Sequence, residues 1–266
     1  MRWTPQMVEA VTTLWNAGLS KKEIRRSLNL TTGQLEGARM RLNLHAQGGR
    51  PLVLSEDHPA VVQGRSLFRS VPELRLPLLK PGLHSPKLGN IVAKGRWRGM
   101  RLFSLTLEER RTCPRSCTHW HDCYGNHMRW AARQPHGQEL VDTLARELAA
   151  LAEKHAAGFV VRLHVLGDFY SIPYVEAWHR WLGKHQQLHV FGYTAHQPGT
   201  PIGDALLTLR RAYPARWWVR HSDGPPHVLR TGPDGITCPA QTGKSKSCAT
   251  CALCWTTPQP INFMAH

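Results

Sequence analysis

Apolar residues near the start of the chain recur at three- and four-residue steps. Met7, Val8, Val11, Leu14 and Trp15 form one such stripe, with Thr4-Pro5 as its opening and Gly18 as its stop. Ser20-Lys21-Lys22-Glu23 reads as a capping box that starts a second helix carrying Ile24 and Leu28. Thr31-Thr32-Gly33-Gln34 repeats the device before Leu35, Ala38 and Leu42. Two short helices joined by a tight turn, the second ending in Arg39-Met40-Arg41, predict a helix-turn-helix within an N-terminal three-helix domain at 1–45. Periodicity then lapses. Residues 46–66, opening with Gln47-Gly48-Gly49-Arg50-Pro51, are expected to be a linker.

From residue 67 to 266 the pattern is that of an α/β core. A loop is expected at 81–89 and a strand at 100–105. Helical spacing at 138–155, 173–184 and 202–213 alternates with β-branched or aromatic runs at 159–166, 188–193 and 216–220. Such alternation implies parallel βαβ units, whose ligands gather at the carboxyl ends of the strands. The expected fold class is α/β, a partial (β/α) barrel-like core preceded by the small three-helix domain. No apolar run approaches the roughly 20 residues that span a bilayer. The first residues lack a signal-peptide pattern, so the expectation is a cytoplasmic protein with no membrane partner.

Charge adds a partner to this picture. Lys plus Arg number 34 against 18 Asp plus Glu, a formal net charge of +16. A field of that sign concentrates polyanions, so nucleic acid is the expected partner, DNA ahead of RNA. Lys21, Lys22, Arg25 and Arg26 on the second helix, with Arg39 and Arg41 on the third, are the expected phosphate contacts. At 41% hydrophobic residues the chain can still build a packed core.

The seven cysteines fall into two groups. Their odd number leaves no complete disulfide pairing, and a reducing compartment disfavours disulfides, so metal ligation is the natural reading. Cys238-Pro239 and the two Cys-x2-Cys steps through Cys248, Cys251 and Cys254 suit either a [4Fe–4S] cluster or structural zinc. The first group, Cys113, Cys117 and Cys123, follows a predicted strand. Three thiolates would leave one iron of a cubane open; alternatively, His119, His121 or His127 completes a zinc site. At the end of another predicted strand, Gly167-Asp168 either places a carboxylate opposite a ligand's ammonium or merely caps the following helix.

These residues carry resemblances. Cys113-x3-Cys117, with Cys123-Tyr124 closing the group, resembles the cluster motif of radical S-adenosylmethionine enzymes, although the second step is three residues longer. That resemblance implies that Gly167 and Asp168 bind the cofactor's amino group. Trp3-Thr4, Leu14-Trp15, Gly18, Ser20, Ile24, Leu28 and Arg41-Leu42-Asn43-Leu44 resemble the GcrA-like helix-turn-helix family of DNA-binding regulators. Ser85-Pro86-Lys87-Leu88-Gly89, Cys113-Pro114, the run from Arg162 to Phe169, Tyr193-Thr194 and the Cys-rich tail resemble the phage gene product 88 family over roughly residues 80–260. The combined expectation is a phage-type nucleic-acid-associated metalloprotein, a radical S-adenosylmethionine-like iron–sulfur enzyme modifying DNA or RNA. Two alternatives stay open. One is a zinc-stapled barrel resembling tRNA-guanine transglycosylases, with Asp168 as catalytic nucleophile. The other is a non-enzymatic DNA-binding protein with structural zinc sites.

Overall fold

Residues 3–16, 19–42, 52–68 and 73–264 are described by the structure, a computed structural model. Gly18 and residues 43–51, where a helix stop and the first part of the linker are expected, lie outside them. The three N-terminal helices are α1 (Pro5–Asn16), α2 (Lys21–Ser27) and α3 (Thr32–Arg41). Ser20 and Glu23 form the reciprocal capping box of α2, and Thr31 with Gln34 repeats it for α3. Val11, Trp15, Ile24, Leu30, Leu35 and Ala38 pack into one apolar cluster among these helices.

Residues 52–66 are not a linker. Here α4 (Pro59–Val62) buries Ala60 and Val61 with Leu54 against Trp120, beside Cys113 and Cys117. The apolar positions are too few to show a period, which is why the sequence pattern misses them. Their partners lie more than 50 residues away in the chain.

The core is a five-stranded sheet in the order β1 (Lys80–Pro81), β2 (Arg101–Ser104), β3 (Phe159–Leu163), β4 (Leu188–Thr194), β5 (Trp217–His221). β1 is antiparallel to β2, and the other neighbours are parallel. Each parallel crossover carries one helix: α5 (Gln138–Lys154), α6 (Ile172–Lys184) and α7 (Pro201–Ala212). The expected βαβ alternation is therefore present. The strands run in sequence order, as they do along a barrel wall, but the sheet is open and no barrel closes among the described residues. The antiparallel β1 takes one edge, and the chain beyond β5 adds no further strand to the other.

A mostly parallel sheet needs cover on both faces. Leu144 and Leu148 of α5, Trp178 and Leu182 of α6, and Leu206 and Leu209 of α7 bury one face against Phe103, Val161, Val190 and Val219. The opposite face has no long helix. Leu102, Val160, Phe191 and Trp218 there meet Trp97, Ala249, Ala252 and Trp255, which belong to loops and the Cys-rich tail. That tail comprises β6 (Thr231–Thr237), α8 (Cys248–Cys251), α9 (Leu253–Thr256) and β7 (Ile261–Asn262). Among the described residues no helix is long and apolar enough to cross a membrane.

Candidate functional site

Four strand ends deliver the site. β3 is shorter than the predicted 159–166 run because residues 165 and 166 leave the sheet and bond to the chain that follows β2. Val165 N–H donates to Leu105 O (2.8 Å), and Leu107 N–H donates to Leu166 O (3.0 Å). This crossing forces the backbone through Gly167 at φ +80°, where an added Cβ would lie 2.5 Å from Thr112 Oγ1 and 2.6 Å from Leu107 Cβ. Glycine is required there by both conformation and space.

The loop after β2 carries Cys113, Cys117 and Cys123, and buried polar residues fix its course. Glu109, fully buried, accepts from Arg133 Nε (2.6 Å) and Nη2 (3.0 Å), and from Ser66 Oγ (2.7 Å). Arg133 also donates to the carbonyls of Gly125, Met128 and Ala131. Arg110 donates to Trp120 O and Asn126 Oδ1. The long Cys117–Cys123 step has a structural use. It holds Trp120, which packs under residues 54–61, donates to Val61 O and lies beneath the Arg115 guanidinium.

The three thiols face a cavity of about 260 Å³ at the carboxyl ends of the parallel strands, together with Glu109, Gly167 and Asp168. Arg162 and Tyr193 on the sheet and Phe263 and Met264 of the tail line it as well. The sequence-predicted cysteines of the first group and the Gly167-Asp168 pair are thus brought to one place. All seven cysteines are free thiols. Burial raises Cys113 well above the ordinary thiol range and pushes Cys123 up to about 11. Such thiols stay protonated until a metal displaces the proton. The Arg110 charge opposes the rise at Cys117 and Cys123. Among the described residues no three His, Cys, Asp or Glu side chains are gathered closely enough to hold a metal ion.

Asp168 is almost fully buried and its oxygens are committed. Oδ1 accepts from Phe169 N–H and Thr194 Oγ1 (both 2.8 Å), and Oδ2 accepts from Ala195 N–H (2.7 Å). Burial lifts its pKa, with His196 and these three donors holding it down. The carboxylate ties the ends of β3 and β4 together, which is work of the local backbone-satisfying kind. It still faces the cavity.

The histidines differ in availability. His121 Nδ1 is bonded to Leu54 O, and His127 Nε2 accepts from Leu52 N–H. His119 lines the cavity and pairs with Asp122 at 3.1 Å.

The second cysteine group lies behind the sheet. Cys248 N–H and Ala249 N–H donate to Lys87 O and Leu88 O, so the Ser85–Gly89 motif supports α8. Gly89, at φ +80°, leaves no room for a side chain, since a Cβ would sit 2.7 Å from Ser247 Oγ. Tyr193 Oη donates to Cys254 Sγ (2.8 Å), and burial pushes the Cys254 thiol up to about 12. Lys87 and Arg162 both lie within electrostatic reach of Cys248. Cationic neighbours suit a centre whose four thiolates outweigh its metal charge.

Lys87, Arg162 and Tyr193 stand in the motifs that carry the gene product 88 resemblance, but sequence reasoning gave them no chemical role. Arg162 had a legible signal, a lone cation in the apolar run Phe159-Val160-Val161-Arg162-Leu163. Of the six expected phosphate contacts, Lys21 and Arg39 both pair with Glu36. Arg25 and Arg41 bond to the carbonyls of Leu30 and Gly37. Lys22 and Arg26 are exposed.

The family model described as gene product 88 matches residues 83–208. The matched stretch runs from just after β1 into α7, including Cys113, Cys117, Cys123 and Gly167-Asp168. It supports a phage family for this part of the chain, and it includes neither the N-terminal helices nor the tail cysteines. No curated protein and no solved structure matches.

Proposed function

We propose that this phage-type protein is an iron–sulfur enzyme acting on nucleic acid, with Cys113, Cys117 and Cys123 as ligands of a [4Fe–4S] cluster and S-adenosylmethionine as its co-substrate. One observation carries the reading: three thiols on the loop after the first parallel strand face one cavity with Asp168. The donor set fits a cluster, because three soft thiolates leave one iron open to an outside ligand. Bound and reduced by an external one-electron donor, such a cluster would supply the electron that splits the C5′–S bond of S-adenosylmethionine into methionine and a 5′-deoxyadenosyl radical.

The chain's own residues do the rest. Cys113, Cys117 and Cys123 would hold the cluster as thiolates, and Arg110 eases the build-up of negative charge near Cys117 and Cys123. Asp168, held by Thr194 and Ala195, presents its remaining acceptor capacity to an ammonium. Phe263 and Met264 cover one side of the cavity and limit water there. The exposed Lys22 and Arg26 contact phosphate, while Lys21 and Arg39 exchange Glu36 for it. The tail cysteines hold a second cluster or a zinc ion.

The test is anaerobic purification with iron, sulfide and zinc analysis, followed by assay of 5′-deoxyadenosine release with DNA or RNA. Iron loading and product release support the reading. Protein that holds four irons at this site and releases no product sinks the enzyme. His119 in the cavity favours a second reading, a Cys3His zinc site, and stoichiometric zinc without iron would establish it. The transglycosylase-like alternative fares less well, because the three donors on Asp168 lower its nucleophilicity.

A further inference from the structure

The fully buried arginines of this protein are anchored by hydrogen bonds, Arg110 through Nε and Nη2 with its Nη1 left over. Arg133 meets a carboxylate and three carbonyls, and Arg220 donates to the carbonyls of Cys254, Arg230, Thr257 and Gln259. Arg162 is different. Its Nε is buried without a partner, and no ion pair engages its guanidinium among the described residues. An unsatisfied buried donor on a charged group is costly, so natural chains retain one where a partner arrives later.

The surroundings narrow what that partner is. Arg162 sits mid-strand on β3, between Val161 and Leu163 of the helix-covered face, and it lines the cavity. Its polar neighbours are Tyr124, Tyr193, Cys248 and Cys254. The three carboxylates of the cavity are committed elsewhere, Glu109 to Arg133, Asp122 to His119, and Asp168 to Thr194 and backbone N–H groups. Arg162 thus lines the cavity with none of the cavity's carboxylates engaging it.

We infer that Arg162 is the receptor for an oxyanion, a carboxylate or a phosphate, on the molecule that enters this cavity. The planar guanidinium matches either group through two parallel hydrogen bonds. The inference rests on the cavity of the proposed function but not on its radical chemistry.

The experiment is calorimetric titration of the full chain, with its metal content measured, against two matched pairs of probes. S-adenosylmethionine is compared with decarboxylated S-adenosylmethionine, which keeps the ammonium and sulfonium and lacks only the carboxylate, and 2′-deoxyadenosine 5′-monophosphate with 2′-deoxyadenosine. In at least one pair the member that bears the oxyanion should bind tenfold tighter or more. Arg162→Gln should reduce that preference to less than threefold without changing metal content or melting temperature, and Arg162→Lys should retain an intermediate preference. The pair that responds identifies the source of the oxyanion. A response from the phosphate pair alone removes the S-adenosylmethionine reading and leaves this inference standing. No preference in either pair overturns it, as does a preference that survives Arg162→Gln. Loss of tail metal with the preference intact also overturns it, since Arg162 would then serve the thiolates. If Arg162→Gln does not fold, Arg162→Lys decides: weaker binding confined to the probe that bears the oxyanion supports the inference, and unchanged or uniformly weaker binding overturns it.

Discussion

Replacing Glu109 by Gln tests whether the cysteine loop is held by its buried ion pair. The change keeps the shape of the side chain and removes its charge. Arg133 would then remain at 2% side-chain exposure with its guanidinium uncompensated, while its three carbonyl acceptors stay in place. Removing one partner of a buried pair costs about 3–5 kcal/mol, and the surviving carbonyl contacts place this case toward about 3 kcal/mol. At about 2–4 °C per kcal/mol for a chain of this size, melting should fall by about 6–12 °C. The same change should loosen the loop, so Cys113, Cys117 and Cys123 should react faster with a thiol reagent than in the parent protein. Replacing both partners by methionine removes the stranded charge, so Glu109→Met with Arg133→Met should melt above either single variant. Melting of Glu109→Gln within 2 °C of the parent (about 1 kcal/mol at most), with unchanged thiol reactivity, would refute the claim that this pair positions the loop.

Three further outcomes follow from the same structure. Gly167→Ala places a Cβ 2.5 Å from Thr112 Oγ1 at positive φ, so it should cost about 1–3 kcal/mol or more by denaturant titration, a parental midpoint being the contrary result. His164 is fully enclosed, with burial taking its pKa down to about 3, while the unfolded chain binds its proton near the ordinary value of 6.5. Its contribution to stability is complete above about pH 6.5 and falls by about 1.4 kcal/mol per pH unit from there toward pH 3; His164→Phe should flatten that acid limb, and an unchanged slope would assign it to other groups. Removing residues 1–42 should lower the slope of log DNA affinity against log salt by about 0.9 for each phosphate those helices neutralise, and an unchanged slope would place binding in the core.

The sequence was most legible where partners are local. The capping boxes at Ser20 and Thr31 and the apolar stripes of α5, α6 and α7 draw on residues three or four positions apart, and all appear. That the three cysteines and Gly167-Asp168 would come to one place was legible from their positions after predicted strands. Long-range partners were not. Leu54, Ala60 and Val61 look like loop residues until Trp120 is placed on them. Nothing in the sequence around His121 and His127 shows that the backbone at Leu54 and Leu52 engages one ring nitrogen of each, His121 Nδ1 and His127 Nε2. Nothing near Glu36 in the sequence marks its pairing with Lys21, fifteen positions earlier.

The uneven cover of the sheet explains why the tail bears on the cavity. One face rests on three long amphipathic helices, which bring their own hydrogen bonding. The other rests on irregular chain and two four-residue helices, too short to be stable by propensity. These are held from outside: by Trp97 stacked on Trp255, by the Lys87 and Leu88 carbonyls, and by Arg220 reaching four tail carbonyls. A metal on Cys238, Cys248, Cys251 and Cys254, as proposed, would add binding energy to the part of the fold with the least intrinsic stability. The same segment places Cys254 on the Tyr193 hydroxyl and brings Phe263 against the Tyr193 ring. Tyr193 and Phe263 are also walls of the cavity. Order in the tail and shape in the cavity are therefore one variable, set from the side of the sheet that has no long helices.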